Sequence, residues 1–309
     1  MSDLKEKVDK SIERIKVFES SAKRHGDGNG YYLAFSGGKD SVVTKALMDM
    51  AGVAYDAHYR VTSVDPPELV RFIKEKYPDV IFEYPRYDDG TRITMWNLIP
   101  KKLMPPTRIV RYCCSELKED GGDGRFTVTG VRWAESTTRK NNQGEVTIMS
   151  KTAGKEMADN ADFKQTRKGG VILVNDNSEA RNVIDSCVTR YKTVLNPIID
   201  WTDQEVWEFI RAENIPYCGL YDEGWHRLGC IGCPMASKHG REREFARWPK
   251  YKKAYLRSFD KMLDERKRRG KLDGSWRIGT TAQDIFNWWM EYDVLPGQID
   301  LLEDHNDEE

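Results

Sequence analysis

The sequence has no apolar run long enough to span a bilayer, and its first residues, Met1-Ser2-Asp3-Leu4-Lys5, lack the apolar core of a secretory signal. Those absences set the expectation of a cytoplasmic chain with no membrane partner. An excess of charge of one sign is missing too. The chain carries 49 Lys and Arg against 50 Asp and Glu, so overall charge argues for neither a nucleic-acid nor a membrane partner. The balance breaks only locally, with Lys and Arg crowded into 250–271 and acidic residues filling 300–309. No internal repeat is present. Cysteine is sparse, at six residues, and in a cytosolic chain close pairs point to metal or redox chemistry rather than to disulfides. Cys113 and Cys114 are adjacent, and a bond between them would distort the intervening peptide. They read as two ligands, or as one ligand and a bystander.

What is present suffices for one large α/β domain, alone or with a helical extension, in 309 residues. Leu4, Val8, Ile12, Ile15 and Phe18 recur at helical spacing and predict one helix over 3–25, ended by the glycines of 26–30. Strands are predicted at 31–35, 53–61 and 80–84, with helices at 42–50 and 67–76, the latter opening on Pro67. This alternation predicts a parallel sheet with helices on both faces. A further strand is expected at 126–131. Residues 140–180 are polar and weakly patterned and read as an insertion or a mobile segment, with a strand at 171–174. The apolar run 194–199 leads to Thr202 and Glu205, a capping box for a helix over 203–213. A basic helix at 249–270 carries Tyr251, Tyr255, Phe259 and Met262 on one side, and an aromatic helix follows at 281–292.

The chemistry begins where the first strand meets Ser36-Gly-Gly-Lys-Asp-Ser41 and a helix. Gly37 and Gly38 let the backbone approach a phosphate, and the helix start offers amide N–H groups and the positive end of its dipole. Ser36 and Ser41 add hydroxyls, Lys39 neutralises phosphate charge, and Asp40 helps to hold Mg²⁺. The spacing is not that of a Walker A loop. An ordinary glycine turn would explain Gly37-Gly38 alone, but not all six residues in this strand-to-helix setting. The segment resembles the PP-loop of N-type ATP pyrophosphatases, which are grouped with phosphoadenosine phosphosulfate (PAPS) reductases. That resemblance implies an adenine nucleotide alpha hydrolase-like fold and cleavage of ATP to AMP and pyrophosphate. True PAPS reductases usually have an altered loop here, so the intact Lys39-Asp40-Ser41 favours ATP over a sulfonucleotide.

Cys230-Ile-Gly-Cys233-Pro234 is a compact chelating turn, in which Gly229 and Gly232 are expected to let N–H groups face the sulfurs. Four thiolates suit an iron–sulfur cluster or zinc. The segment resembles the second cysteine motif of adenylylsulfate reductases, which bind a [4Fe–4S] cluster through a Cys-Cys pair and a distant Cys-x-x-Cys. The resemblance implies Cys113, Cys114, Cys230 and Cys233 as ligands, with a structural Zn²⁺ ranked second. Cys187 and Cys218 read as buried thiols.

Gly130-Val-Arg-Trp-Ala-Glu-Ser-Thr-Thr-Arg139 places two guanidinium forks after a strand, suited to phosphate or sulfate, with Glu135 to orient them. A helix start with a surface ion pair would look the same. The stretch resembles the family's Gly-x-Arg-x-x-x-Ser-x-x-Arg segment, which implies Gly130, Arg132 and Arg139 at the nucleotide's anionic end. Thr62 aligns with a family threonine at the nucleotide, and Ser63 replaces the usual glycine. Arg108, Arg111 and Lys118 flank the vicinal cysteines, for the substrate, for the cluster's charge or for the surface. The basic helix reads as a solvated face, and Trp276, Trp288 and Trp289 read as core.

The resemblance covers roughly 28–240 and stops there. The family's reductases carry a nucleophilic cysteine near the C-terminus, and this chain has none after Cys233. The expected organisation is an N-terminal helix (1–27), a PP-loop domain (28–240), a helical C-terminal extension (241–299) and an acidic tail (300–309). The leading expectation is an ATP pyrophosphatase that adenylylates an acceptor, nucleic acid among the candidates, and passes sulfur to it from a donor. This resembles the iron–sulfur enzymes of DNA phosphorothioation and tRNA thiolation. A sulfonucleotide reductase served by thioredoxin, using an unusual thiol such as Cys218, is the second expectation. A non-catalytic nucleotide-binding subunit of a modification or defence complex is the third. A homodimer is compatible with each.

Overall fold

Phe18 interrupts the predicted first helix. The computed structural model, which describes residues 2–272, 276 and 278–292, has α1 (Ser2–Val17) and α2 (Glu19–His25) in its place. Phe18 is buried at the break, edge-on to Phe126 at 5.3 Å. The acidic segment 300–309 lies outside the described residues.

The chain divides into two compact units. The first is built from 1–60, 67–83 and 120–228. It contains β1 (Tyr31–Ala34), α3 (Lys39–Ala51), β2 (Tyr55–Arg60), α4 (Pro67–Lys76) and β3 (Ile81–Glu83). The second contributes α5 (Met95–Lys102) and the single turn α6 (Tyr112–Cys114), which runs into a π-helical turn, Ser115–Glu119. The first unit resumes with β4 (Thr127–Val128), α7 (Thr137–Asn142), β5 (Val146–Ile148), α8 (Lys151–Glu156), β6 (Phe163–Gln165) and β7 (Val171–Leu173). It ends with α9 (Ser178–Cys187), β8 (Thr193–Leu195) and α10 (Asp203–Ala212). The second unit closes the chain with α11 (Lys238–Arg247), α12 (Pro249–Arg268) and α13 (Ala282–Trp289).

All eight strands belong to the first unit and form one sheet in the order β3-β2-β1-β4-β8-β5-β7-β6. The first five are mutually parallel, as the βαβαβ pattern predicts. The other three are antiparallel, so the sheet is mixed rather than wholly parallel. They come from the weakly patterned stretch 140–180, which is an antiparallel sheet extension with three strands and not only the one expected near 171–174. Each strand is three residues long, too short for an alternating pattern to show. The expected strand at 126–131 is only two residues, because Gly130 follows and its backbone lies against α3. A Cβ there would sit 2.8 Å from the Asp40 carbonyl oxygen.

Between β1 and β4 the strand order reverses. In doubly wound sheets the crevice at such a reversal, beyond the carboxyl ends of the strands, is where ligands bind. Ser36–Ser41 leave β1 and Gly130–Arg132 leave β4 at that point.

In the second unit, Tyr255, Phe259 and Met262 recur at helical spacing on α12 and are buried, as their spacing predicts. Tyr255 packs on Trp289 at 4.8 Å and on Trp96 of α5 at 5.2 Å, while Phe245 meets Phe286 at 5.4 Å. The expected core role of Trp289 is borne out, since it is buried and its indole N–H donates to the Pro106 carbonyl at 2.7 Å.

Candidate nucleotide site and thiol cluster

Gly37 has φ of 73°, a left-handed conformation that a side chain would strain, and a Cβ there would meet Ile73 at 2.7 Å. The turn thus folds back on α4 and sends the next residues into α3. Ser41 Oγ donates to the Gly38 carbonyl at 2.9 Å and accepts from Ser36 Oγ at 3.2 Å. The Lys39 backbone N–H, one of the free amides of the α3 start, donates to the Tyr221 hydroxyl at 2.9 Å. The Lys39 ammonium lies 3.2 Å from Asp40 and 3.4 Å from Asp203.

Arg132 is the centre of the arrangement and is almost wholly buried, at 1% exposure. Its Nε donates to Asp40 Oδ1 at 2.7 Å, one terminal nitrogen to the Trp201 carbonyl at 3.1 Å, and the other to Asp203 Oδ1 at 2.5 Å. The guanidinium therefore braces the PP-loop against the start of α10. Partial burial works to raise the Asp203 carboxyl, but the Arg132 hydrogen bond and the Lys39 charge outweigh it and hold that carboxyl below its usual range.

Glu135 accepts from the Arg132 backbone N–H at 3.0 Å and from the Arg139 guanidinium. Burial, together with the like charges of Arg227 and Arg132, lowers the Arg139 pKa, partly against the charge of Asp40. The charges of Arg227 and Arg132 are thus felt at Arg139, and an anion beside that guanidinium would offset them. Sequence reading singled out Arg132 and Arg139 but missed Asp203, Tyr221 and Arg227. Asp203 passed for a helix start. Arg227 had a signal in Trp225-His226-Arg227, just ahead of the cysteine segment.

The other expected site residues lie in the second unit. Thr62 Oγ1 donates to Asp65 Oδ2 at 2.6 Å and lies 3.8 Å from Cys230 Sγ. The four cysteines lie in this unit as well, each half-buried with a free thiol. The Cys113 thiol donates to Cys114, and that bond, with burial and the nearby Cys230 and Cys233, raises its pKa. The same bond, helped by Lys118 and Arg111 against burial, lowers that of Cys114. Burial pushes Cys230 up to about 11, although Lys118 works against it. Burial, and after it the charges of Cys230, Cys113 and Cys233, raise the pKa of the Tyr255 phenol.

Gly232 has φ of 73°, and a Cβ there would strike Phe245 at 2.7 Å, so the Cys-x-x-Cys turn depends on this glycine. Its own N–H is engaged elsewhere. It donates to Glu244 Oε2 at 2.6 Å, because that carboxylate reaches in from α11. Among the described residues, no group of three or more His, Cys, Asp or Glu side chains is close enough to hold one metal ion. A [4Fe–4S] cluster takes each thiolate on a different iron, so it needs a wider donor set than a single ion, and four thiols have the chemistry for it. The expected buried state of Cys187 and Cys218 is borne out.

The strand order and the loop at its reversal define a nucleotide-binding α/β protein. Residues 30–236 match the phosphoadenosine phosphosulfate reductase domain, and the chain belongs to that family. It is 27% identical over 284 residues to an uncharacterised protein of Methanocaldococcus jannaschii, covering 87% of this chain and 56% of that one. It is 42% identical over 53 residues to adenosine 5'-phosphosulfate reductase of Neisseria meningitidis, covering 17% of this chain and 22% of the enzyme. The chain therefore spans about half the length, or less, of these relatives. Among solved structures, Candida glabrata FMN adenylyltransferase is similar at a TM-score of 0.44 and 14% identity, over 75% of this chain and 62% of that one. A U34-tRNA thiolase of Methanococcus maripaludis with its [4Fe–4S] cluster is similar at a TM-score of 0.29 and 11% identity, over 84% and 80% of the two chains. No helix among the described residues is long and apolar enough to cross a membrane.

Proposed function

We propose that this protein is an ATP pyrophosphatase that adenylylates an acceptor, with the four cysteines as ligands of a [4Fe–4S] cluster. The observation that carries the reading is the bracing of the PP-loop by Arg132, which turns Lys39, Asp40 and Asp203 toward one place beside Arg139. The acceptor's nucleophile forms a bond to the α-phosphorus, the bond from that phosphorus to the bridging oxygen breaks, and the electron pair leaves with pyrophosphate. Loop amides and Lys39 stabilise the leaving charge, and Arg139 holds the outer phosphates. Arg132 acts through Asp40 and Asp203 as a positioning residue. The carboxylates of Asp40 and Asp203 retain lone pairs for Mg²⁺, whose chemistry is to neutralise phosphate charge. Cys113, Cys114, Cys230 and Cys233 would hold the cluster, which supplies a site for sulfur. Lys118 offsets thiolate charge. Lys118 is an exposed residue, yet the charges of Cys230 and Asp65 reach its ammonium and raise its pKa.

The reductase reading is favoured by the family match and the adenosine 5'-phosphosulfate reductase segment. Against it stands the remaining candidate thiol, Cys218, which is 1% exposed and raised in pKa by burial, a poor nucleophile. Anaerobic purification should yield iron and acid-labile sulfide, and Cys→Ser variants at the four positions should each lower both. Incubation with ATP, adenylylsulfate or PAPS then separates the readings. Pyrophosphate from ATP is expected. Sulfite from either sulfonucleotide would sink the proposal, and tight ATP binding without pyrophosphate, whatever the acceptor, would favour a non-catalytic subunit.

A further inference from the structure

Between residues 238 and 271 the chain carries 14 Lys and Arg against five Asp and Glu, although its net charge is −1. Lys250, Lys253, Arg257 and Lys261 follow one another at steps of three and four along α12, opposite the buried Tyr255, Phe259 and Met262. They form one exposed row roughly 16 Å long at 1.5 Å per residue. None of the four is paired with a carboxylate among the described residues, and Asp260 is the only acid on that face between Lys250 and Lys261. Lys250, Lys252 and Lys253 also crowd the first turn, which holds no acid. The helix dipole opposes cations at that end, so local stability does not account for their position. An anion bound along the row would gain from both the lysines and the dipole.

We propose that this face of α12 binds the phosphate backbone of duplex DNA, a property separate from the pyrophosphatase reading. The aromatic and aliphatic side chains of α12 turn inward or are half-buried, so the row lacks the apolar residues an amphipathic membrane helix needs. It also lacks the aromatic platforms on which single strands stack. A helix about 10–12 Å across matches the roughly 12 Å major groove of B-form DNA, whereas the deep, narrow groove of A-form RNA excludes it.

Fluorescence anisotropy of the full chain with a DNA duplex of about 30 base pairs tests this across a salt series. Each neutralised phosphate steepens the plot of log K against log salt by about 0.9, so four cations give a slope near −3.6. The triple variant Lys253→Ala/Arg257→Ala/Lys261→Ala should flatten that slope by about 2.7 and weaken binding at least roughly tenfold at moderate salt. Lys253→Arg/Lys261→Arg should bind as the wild type does. Circular dichroism and ATP turnover without DNA check that the variants fold, and they keep a failure here distinct from a failure of the pyrophosphatase reading. Absence of wild-type binding, an unchanged slope in the triple variant, or tighter binding of an RNA duplex, a single strand or an acidic peptide would each overturn the proposal.

Discussion

At Gly37 a single added methyl group meets two obstacles, a left-handed backbone and the Ile73 side chain 2.7 Å away. Gly37→Ala should cost about 2–4 kcal/mol of stability, from backbone strain and overpacking together, measured by urea unfolding. Calorimetric titration should show ATP affinity falling with it. Tyr221 offers a finer probe. Its hydroxyl accepts the Lys39 N–H at 2.9 Å and keeps its own proton for a phosphate oxygen. Tyr221→Phe should weaken ATP roughly three- to tenfold, the value of about one hydrogen bond, with the melting curve little changed. An unaltered affinity would remove Tyr221 from the phosphate site. The PP-loop was legible in the sequence because its six residues are contiguous. Asp203, Tyr221 and Arg227 were not, because their place beside the loop is created by the strand reversal and the burial of Arg132.

Among the elements, α1 shows how a short-range pattern and a long-range tie combine. Its apolar spacing was readable, but its anchorage was not. Arg14 donates to Asp200 at 2.8 Å and to Glu145 at 2.7 Å, across 186 and 131 residues of sequence. Partial burial works to raise the Asp200 carboxyl, but the hydrogen bond and charge of Arg14, with Lys7 and Lys10, hold it below 3.8. The stability it supplies is complete above pH 3.8 and is lost as pH falls through the lower native value. Asp200→Asn should cost about 1–3 kcal/mol near neutrality, and urea unfolding from pH 6 to 2 should show the gap to wild type closing below about pH 4. Phe259 on α12 is fully buried, so Phe259→Ala should destabilise the second unit by about 3–5 kcal/mol, seen as a separate early transition on heating. The stripe it belongs to runs through a 20-residue helix, long enough for periodicity to declare itself. The three-residue strands β5, β6 and β7 offered no such run.

Across the whole chain, the two units are interleaved in sequence. The thiol-bearing unit takes 61–66, 84–119 and 229–309, and the sheet-bearing unit takes everything between and before. The pairing of Cys113 and Cys114 with Cys230 and Cys233 came from a family resemblance, since more than a hundred residues part them, and no local pattern carries such a distance. That interleaving has a consequence for biogenesis. As the polypeptide leaves the ribosome, the last segment of the sheet-bearing unit ends at Leu228, two residues ahead of Cys230. The phosphate loop can therefore form on a nascent chain that has not yet delivered its second thiol pair. Cys113 and Cys114 emerge early and must wait, exposed to oxidants or stray metals, until more than a hundred further residues have been made. Any cofactor held by all four sulfurs is loaded only after the last segment of the sheet-bearing unit has been made.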